Sequence, residues 1–150
     1  HAVVAHPHPL FGGTMDNKVV QTLARAFVQC GWSAVRYNFR GVGRSAGQYD
    51  DGRGEVDDLL AVVSQQAAQG ALALAGFSFG AFVTAQAAAR LAIERPIERL
   101  VLVGTAASRF AVPVVPPDVS DKLTVPDADT VAEPLAALVS STGVAPLLRM

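Results

Sequence analysis

Ala71-Leu72-Ala73-Leu74-Ala75-Gly76-Phe77-Ser78-Phe79-Gly80 decides how the rest of the chain is read. Its first seven residues carry no polar side chain, the pattern of a strand covered on both faces. Alanine-rich, helix-favouring sequence follows from Ala81 to Leu91. Between them stands G-x-S-x-G, centred on Ser78. A serine lifted on a sharp strand-to-helix turn needs glycines two residues before and after, because side chains there would strike neighbouring backbone. The spacing therefore predicts a bend that exposes the Ser78 hydroxyl. The N–H of Phe79, next in the chain, is expected at the start of the helix, where developing negative charge is favoured.

Outward from this segment the pattern repeats. Ala2 to Ala5 is a short apolar run, stopped by His6-Pro7-His8-Pro9, where two prolines forbid both helix and central strand. Asn17 is a helix-start residue, and Val19, Val20, Leu23, Phe27 and Val28 recur at helical spacing up to Gly31. Ser33 to Phe39 reads as a second strand, Glu55 to Gln69 as a second helix, Ala71 to Phe77 as the third strand, and Arg99 to Val103 as the fourth. Strands alternating with helices imply an α/β fold with an open, mostly parallel sheet and helices on both faces. Asp121 to Val125 is expected to add a short strand and Glu133 to Ser141 a short helix. Three prolines, Pro113, Pro116 and Pro117, break the periodicity before them.

At 150 residues the chain suits one compact domain. Residues 1–110 form its patterned core, and 111–150 are divergent or weakly structured. Apolar residues begin directly after His1, whereas chain ends are usually polar, so the chain is expected to lack some N-terminal sequence. A net charge of −1 offers no electrostatic attraction to nucleic acid or to an anionic membrane. No apolar run approaches the roughly 20 residues that span a bilayer. Cys30 is the single cysteine, which excludes an internal disulfide and suits a reducing, cytoplasmic setting.

The loop after the first strand, His6 to Gly13, is positioned to supply a second backbone donor for an oxyanion. Proline has no N–H, so Pro7 and Pro9 are excluded. His8 is the first choice and Leu10 the second, each through its backbone. Both imidazoles read as local hydrogen-bond partners within a rigid turn, since metal-ligand spacing is lacking around them. Gly41-Val42-Gly43-Arg44-Ser45-Ala46 fits the dinucleotide fingerprint G-x-G-x-x-A. That fingerprint requires a helix opening within it, whereas here Gly47, Asp50, Asp51, Gly52 and Gly54 follow, which is loop chemistry. Arg40, Asp51 and Glu55 are read as loop-bracing ion pairs, and Asp58 as a solvated helix residue. Phe11, Phe77 and Phe79 suit either an apolar acyl pocket or core packing.

Taken together these segments resemble the α/β-hydrolase superfamily, and within it small bacterial hydrolases bearing an H-P-H-P-x-x-G-G-x-x-x-N loop. Here that loop is His6 to Asn17. The likeness continues through Tyr37-Asn38-Phe39-Arg40-Gly41-Val42-Gly43-x-Ser45, Asp51-Gly52-x-Gly54-Glu55, Gly76 to Gly80 and Leu102-Val103-Gly104. Measured against that family the chain looks incomplete at both ends. The resemblance implies a serine hydrolase of dienelactone-hydrolase or serine-peptidase type. It would act on a small ester, thioester or amide through a Ser78 acyl-enzyme, with Phe79 and His8 as oxyanion donors and no cofactor. Asp129 or Asp127, just past Leu123-Thr124-Val125, would hold the acid position. Chain order in the superfamily is Ser, Asp or Glu, then His, yet the three histidines here are His1, His6 and His8, all before Ser78. Impaired catalysis is therefore expected, and a non-catalytic binding protein or inactive fragment is the alternative.

Overall fold

The computed structural model describes residues 1–104 together with 123–124. The expected helix at 133–141 lies outside them. Five strands form one sheet: β1 (Ala2–Ala5), β2 (Ala34–Arg36), β3 (Ala73–Phe77), β4 (Arg99–Val103) and β5 (Leu123–Thr124). Their order is β2-β1-β3-β4-β5, and every pairing is parallel. The expected α/β architecture is thus present. Among the described residues three α-helices connect the strands: α1 (Lys18–Gln29), α2 (Arg53–Gln66) and α3 (Phe79–Leu91).

Strand alternation sorts the core into two layers. Ala2, Val4, Ala73, Ala75, Val101 and Val103 pack with Val20, Leu23 and Phe27 of α1. Val3, Ala5, Leu74, Leu100 and Leu102 face Val56, Leu59 and Val63 of α2 and Ala81, Ala85 and Ala88 of α3. Among the described residues one helix therefore covers one face and two cover the other.

Local chemistry sets most boundaries. Asn17 caps α1, its Oδ1 accepting from Val19 N–H at 2.9 Å. Helix α2 begins at Arg53, two residues before the expected start, because Glu55 folds back to accept from Asp50 N–H (2.9 Å) and Gly52 N–H (3.0 Å).

The second strand is shorter than expected. Only Ala34–Arg36 pair with β1, although Tyr37 and Phe39 remain buried. The chain of β1 bends away at Pro7, so Phe39 N–H finds an imidazole instead of a ladder carbonyl and donates to His6 Nε2 at 3.0 Å.

Candidate active site

Ser78 sits between the last residue of β3 and the first of α3. Its backbone has φ 55° and ψ −116°, a left-handed conformation that strains any residue with a Cβ. The side chain is neither buried nor inside a regular element, so the hydroxyl stands at the carboxyl end of the sheet. Ser78 N–H donates to Val103 O at 2.9 Å, and Ser78 O accepts from Ala81 N–H at 3.0 Å. The strained turn is thus tied to β4 on one side and α3 on the other.

The flanking glycines are sterically required. A Cβ on Gly76 would overlap the carbonyl of Gly80 and come within 2.6 Å of Thr84 Oγ1. A Cβ on Gly80 would overlap His6 O and lie 2.7 Å from Ala5 C. The second contact also brings the start of α3 against the end of β1, where the His6–Gly13 loop begins.

That loop is held by its two histidines. His6 is fully buried; its Nε2 accepts from Phe39 N–H and its Nδ1 contacts Pro7 O at 2.7 Å. Both bonds are satisfied by the neutral ring with the proton on Nδ1. Burial lowers the His6 pKa, against the raising effect of the Pro7 bond. His8 Nδ1 accepts from Leu10 N–H at 3.1 Å, His8 Nε2 lies 3.1 Å from Tyr49 Oη, and His8 O accepts from Phe11 and Gly13 N–H. The His8 ring stacks at 4.8 Å on Phe79 and 4.8 Å on Phe11. With its N–H bonded to His8 Nδ1, Leu10 is set aside as the second choice of oxyanion donor.

Several sequence expectations are refined. Asp58 is not a solvated helix residue: its carboxylate accepts from Arg40 N–H at 2.9 Å and from the Arg40 guanidinium at 2.9 Å, and both side chains are largely covered. Arg40 reaches Asp58 from the loop after β2, a pairing that a separation of 18 positions conceals in the sequence. Glu55 braces its loop as a fully buried cap on backbone N–H groups rather than as an ion-pair partner. Phe79 belongs to the core, whereas Phe11 is 77% exposed and Leu10 65% exposed. The segment Gly41–Ala46 continues into turns, and the next helix opens only at Arg53, so the helix that a dinucleotide fingerprint requires is missing there.

Tyr49 and Asn38 were not singled out by sequence. Asn38 Oδ1 accepts from Met15 N–H at 2.9 Å and Asn38 O accepts from Ser45 Oγ at 2.9 Å, joining the two loops beside Ser78. For Asn38 the available signal is its place in the Tyr37–Ser45 stretch; Tyr49 lies beyond that stretch. Asp127 and Asp129 lie outside the described residues. Among the described residues no three His, Cys, Asp or Glu side chains converge as a metal site, and no helix is long and apolar enough to cross a membrane.

A family model described as Hydrolase_4, serine aminopeptidase S33, matches residues 9–125. An uncharacterized protein of Rickettsia prowazekii is 42% identical over 111 residues, which are 66% of this chain and 46% of that protein. Among solved structures, an α/β serine hydrolase without a lid from Xanthomonas campestris superposes with a TM-score of 0.76 at 42% identity, covering 91% of this chain and 62% of that one. An α/β serine hydrolase homologue from Coxiella burnetii gives 0.71 at 37% identity, covering 97% and 71%. The chain thus spans about half of the Rickettsia protein and less than two thirds of the Xanthomonas one.

Proposed function

The chain belongs to the serine aminopeptidase S33 family of α/β-hydrolases, and on that premise we propose that Ser78 is the nucleophile of an acyl-transfer reaction on a small ester, thioester or amide. The observation carrying this reading is the strained, part-exposed Ser78 backbone between β3 and α3. Strain of this kind costs about 1–3 kcal/mol and persists only where its surroundings impose it.

On this reading Ser78 Oγ bonds to the carbonyl carbon while its proton passes to a base. The carbonyl π pair moves onto oxygen, where the backbone N–H groups of Phe79 and His8 stabilise it. Collapse expels the alcohol, thiol or amine, which takes the proton, and water then releases the acid by the same steps. Phe79 opens α3, so its N–H lies at the positive end of the helix.

The base decides how fast the 150-residue chain works. No histidine follows Ser78, and His6 and His8 have both ring nitrogens committed elsewhere. A serine hydroxyl without a base is a poor nucleophile, so we assign this chain slow turnover, with Asp129 as the acid of the family pattern. A small substrate reaching an open site accords with the exposed Leu10 and Phe11 and with the lidless Xanthomonas relative. A cytoplasmic setting accords with the single cysteine.

A fluorophosphonate probe tests the assignment. Labelling is expected at Ser78, accelerated by added imidazole as an external base, and absent in Ser78→Ala. Labelling that persists in Ser78→Ala overturns it. No labelling of the parent chain, even in imidazole, favours a non-catalytic binding role, the reading that the missing later histidine supports.

A further inference from the structure

We propose that Tyr49 is a positioning residue for the His8–Gly13 turn: its hydroxyl fixes the tautomer and orientation of the His8 imidazole, and that imidazole holds the turn carrying the second oxyanion donor. The inference rests on the reading of Ser78 as nucleophile and of His8 N–H as donor.

The hydrogen bonds define the tautomer. Leu10 N–H donates to His8 Nδ1 at 3.1 Å, so Nδ1 presents a lone pair, and the neutral ring carries its proton on Nε2. That proton points to Tyr49 Oη, 3.1 Å away. Tyr49 therefore accepts from His8. Burial first, then the nearby carboxylates of Asp51 and Glu55, raise the Tyr49 pKa, which keeps the phenol protonated. The result is a directional chain: Leu10 N–H to His8, then His8 to Tyr49. A third anchor is steric, because the His8 ring is stacked by Phe11, Phe79 and Tyr49 with centroids 4.8, 4.8 and 5.0 Å away.

Tyr49 is itself delivered by a braced loop. The fully buried Glu55 accepts from the N–H groups of Asp50 and Gly52, and Asp50 accepts from Gly54 N–H at 3.1 Å. Asp51 between them holds a left-handed backbone, φ 52°, a conformation that a non-glycine residue adopts only when its surroundings demand it. A rigid loop after β2 thus presses a phenol onto an imidazole 41 residues earlier. Simple ring packing would need no hydroxyl at this position. The hydroxyl gives the Nε2 proton an acceptor and so supports the ring orientation and tautomer that accept from Leu10.

Tyr49→Phe keeps the ring contacts and removes only the oxygen. Three readouts follow, taken on folded protein in imidazole buffer. The ¹⁵N shifts of His8 are expected to change from one dominant tautomer to a mixture. Leu10 amide exchange should accelerate by roughly 5- to 10-fold, the worth of one modest hydrogen bond. In saturation kinetics of fluorophosphonate labelling, the maximum rate should fall by a similar factor while half-saturation stays unchanged. His8→Asn is the second variant: it offers Leu10 an acceptor but cannot reach Tyr49, and the same fall in maximum rate is expected. It decides the matter should Tyr49→Phe not fold. Unchanged tautomer and exchange in Tyr49→Phe, or unchanged labelling rate in both variants, overturns the proposal alone. A parent chain that is never labelled overturns the nucleophile reading beneath it, an outcome distinct from the first because tautomer and exchange are read without any reaction.

Discussion

Ser78 N–H donates to the carbonyl oxygen of Val103 at 2.9 Å, so the residue with the most strained backbone of the site is held by the last bond of the β3–β4 ladder. The ladder supplies the restraint, and the turn to α3 supplies the strain. This division leads to a stability test.

Ser78→Gly should stabilise the fold. Glycine adopts φ 55° without a Cβ clash, and relief of strain exceeds the added unfolded-state entropy by roughly 1 kcal/mol. Urea unfolding should show the gain, with loss of Ser78 labelling. A Ser78→Gly chain less stable than the parent would mean that the turn stores no strain.

Gly80→Ala should destabilise by about 1–3 kcal/mol, towards the upper end because the added methyl meets main chain rather than a movable side chain. The atoms struck are the carbonyls of Ala5 and His6. Thermal melts compare it with Ala81→Gly on the same helix, whose cost should stay near 1 kcal/mol for glycine propensity, with a small added term for the lost methyl. Equal melting points for parent and Gly80→Ala would contradict the close approach of α3 to β1.

Asp58→Ala and Asp57→Ala separate a structural carboxylate from a surface one. Asp58 accepts from both backbone and guanidinium of Arg40, and its side chain is 21% exposed. Asp57 pairs with Arg90 at 3.3 Å, with both side chains more than half exposed. Losing Asp58 should cost about 1–3 kcal/mol, since a charged hydrogen bond goes and Arg40 is left half-covered. Losing Asp57 should cost under about 0.5 kcal/mol. Chemical denaturation of both variants at one salt concentration checks the ranking.

Acid should weaken the fold through His6. Its pKa is lowered from the ordinary 6.5, chiefly by burial, so the unfolded chain takes up this proton before the folded one does. The contribution is complete above about pH 6.5 and declines as pH falls towards the lowered folded value. Urea midpoints at pH 7.5 and pH 5.5 should therefore differ more for the parent than for His6→Asn. Identical pH slopes in the two chains would show that His6 is not held neutral.

How far these features were legible depends on their range along the chain. Val19, Val20, Leu23 and Phe27 announce the buried face of α1, and the unbroken apolar run before Gly76 announces a strand with two covered faces. Both signals are periodic and local. The Gly76–Gly80 pattern is also local, because the turn it requires is made by the same five residues. Strand β2 is shorter than its run of β-favouring residues, Ser33 to Phe39, because such a run does not reveal where its neighbour ends; the bend at Pro7 and the reach of His6 to Phe39 decide that.

What the sequence by itself determined is the α/β order, the turn at Ser78 and the local half of the hydrogen bonding in the His6–Gly13 loop, His6 to Pro7 and Leu10 to His8. Only the tertiary structure decided that Asp58 clasps Arg40, that Glu55 is a buried cap beneath a strained Asp51, and that Tyr49 touches His8. The physical reason is the same in each case. Backbone preferences and hydrophobic periodicity act over a few residues and leave a mark in the order of amino acids. A hydrogen bond between loops that are distant in the chain leaves none until the sheet brings its carboxyl-end loops together.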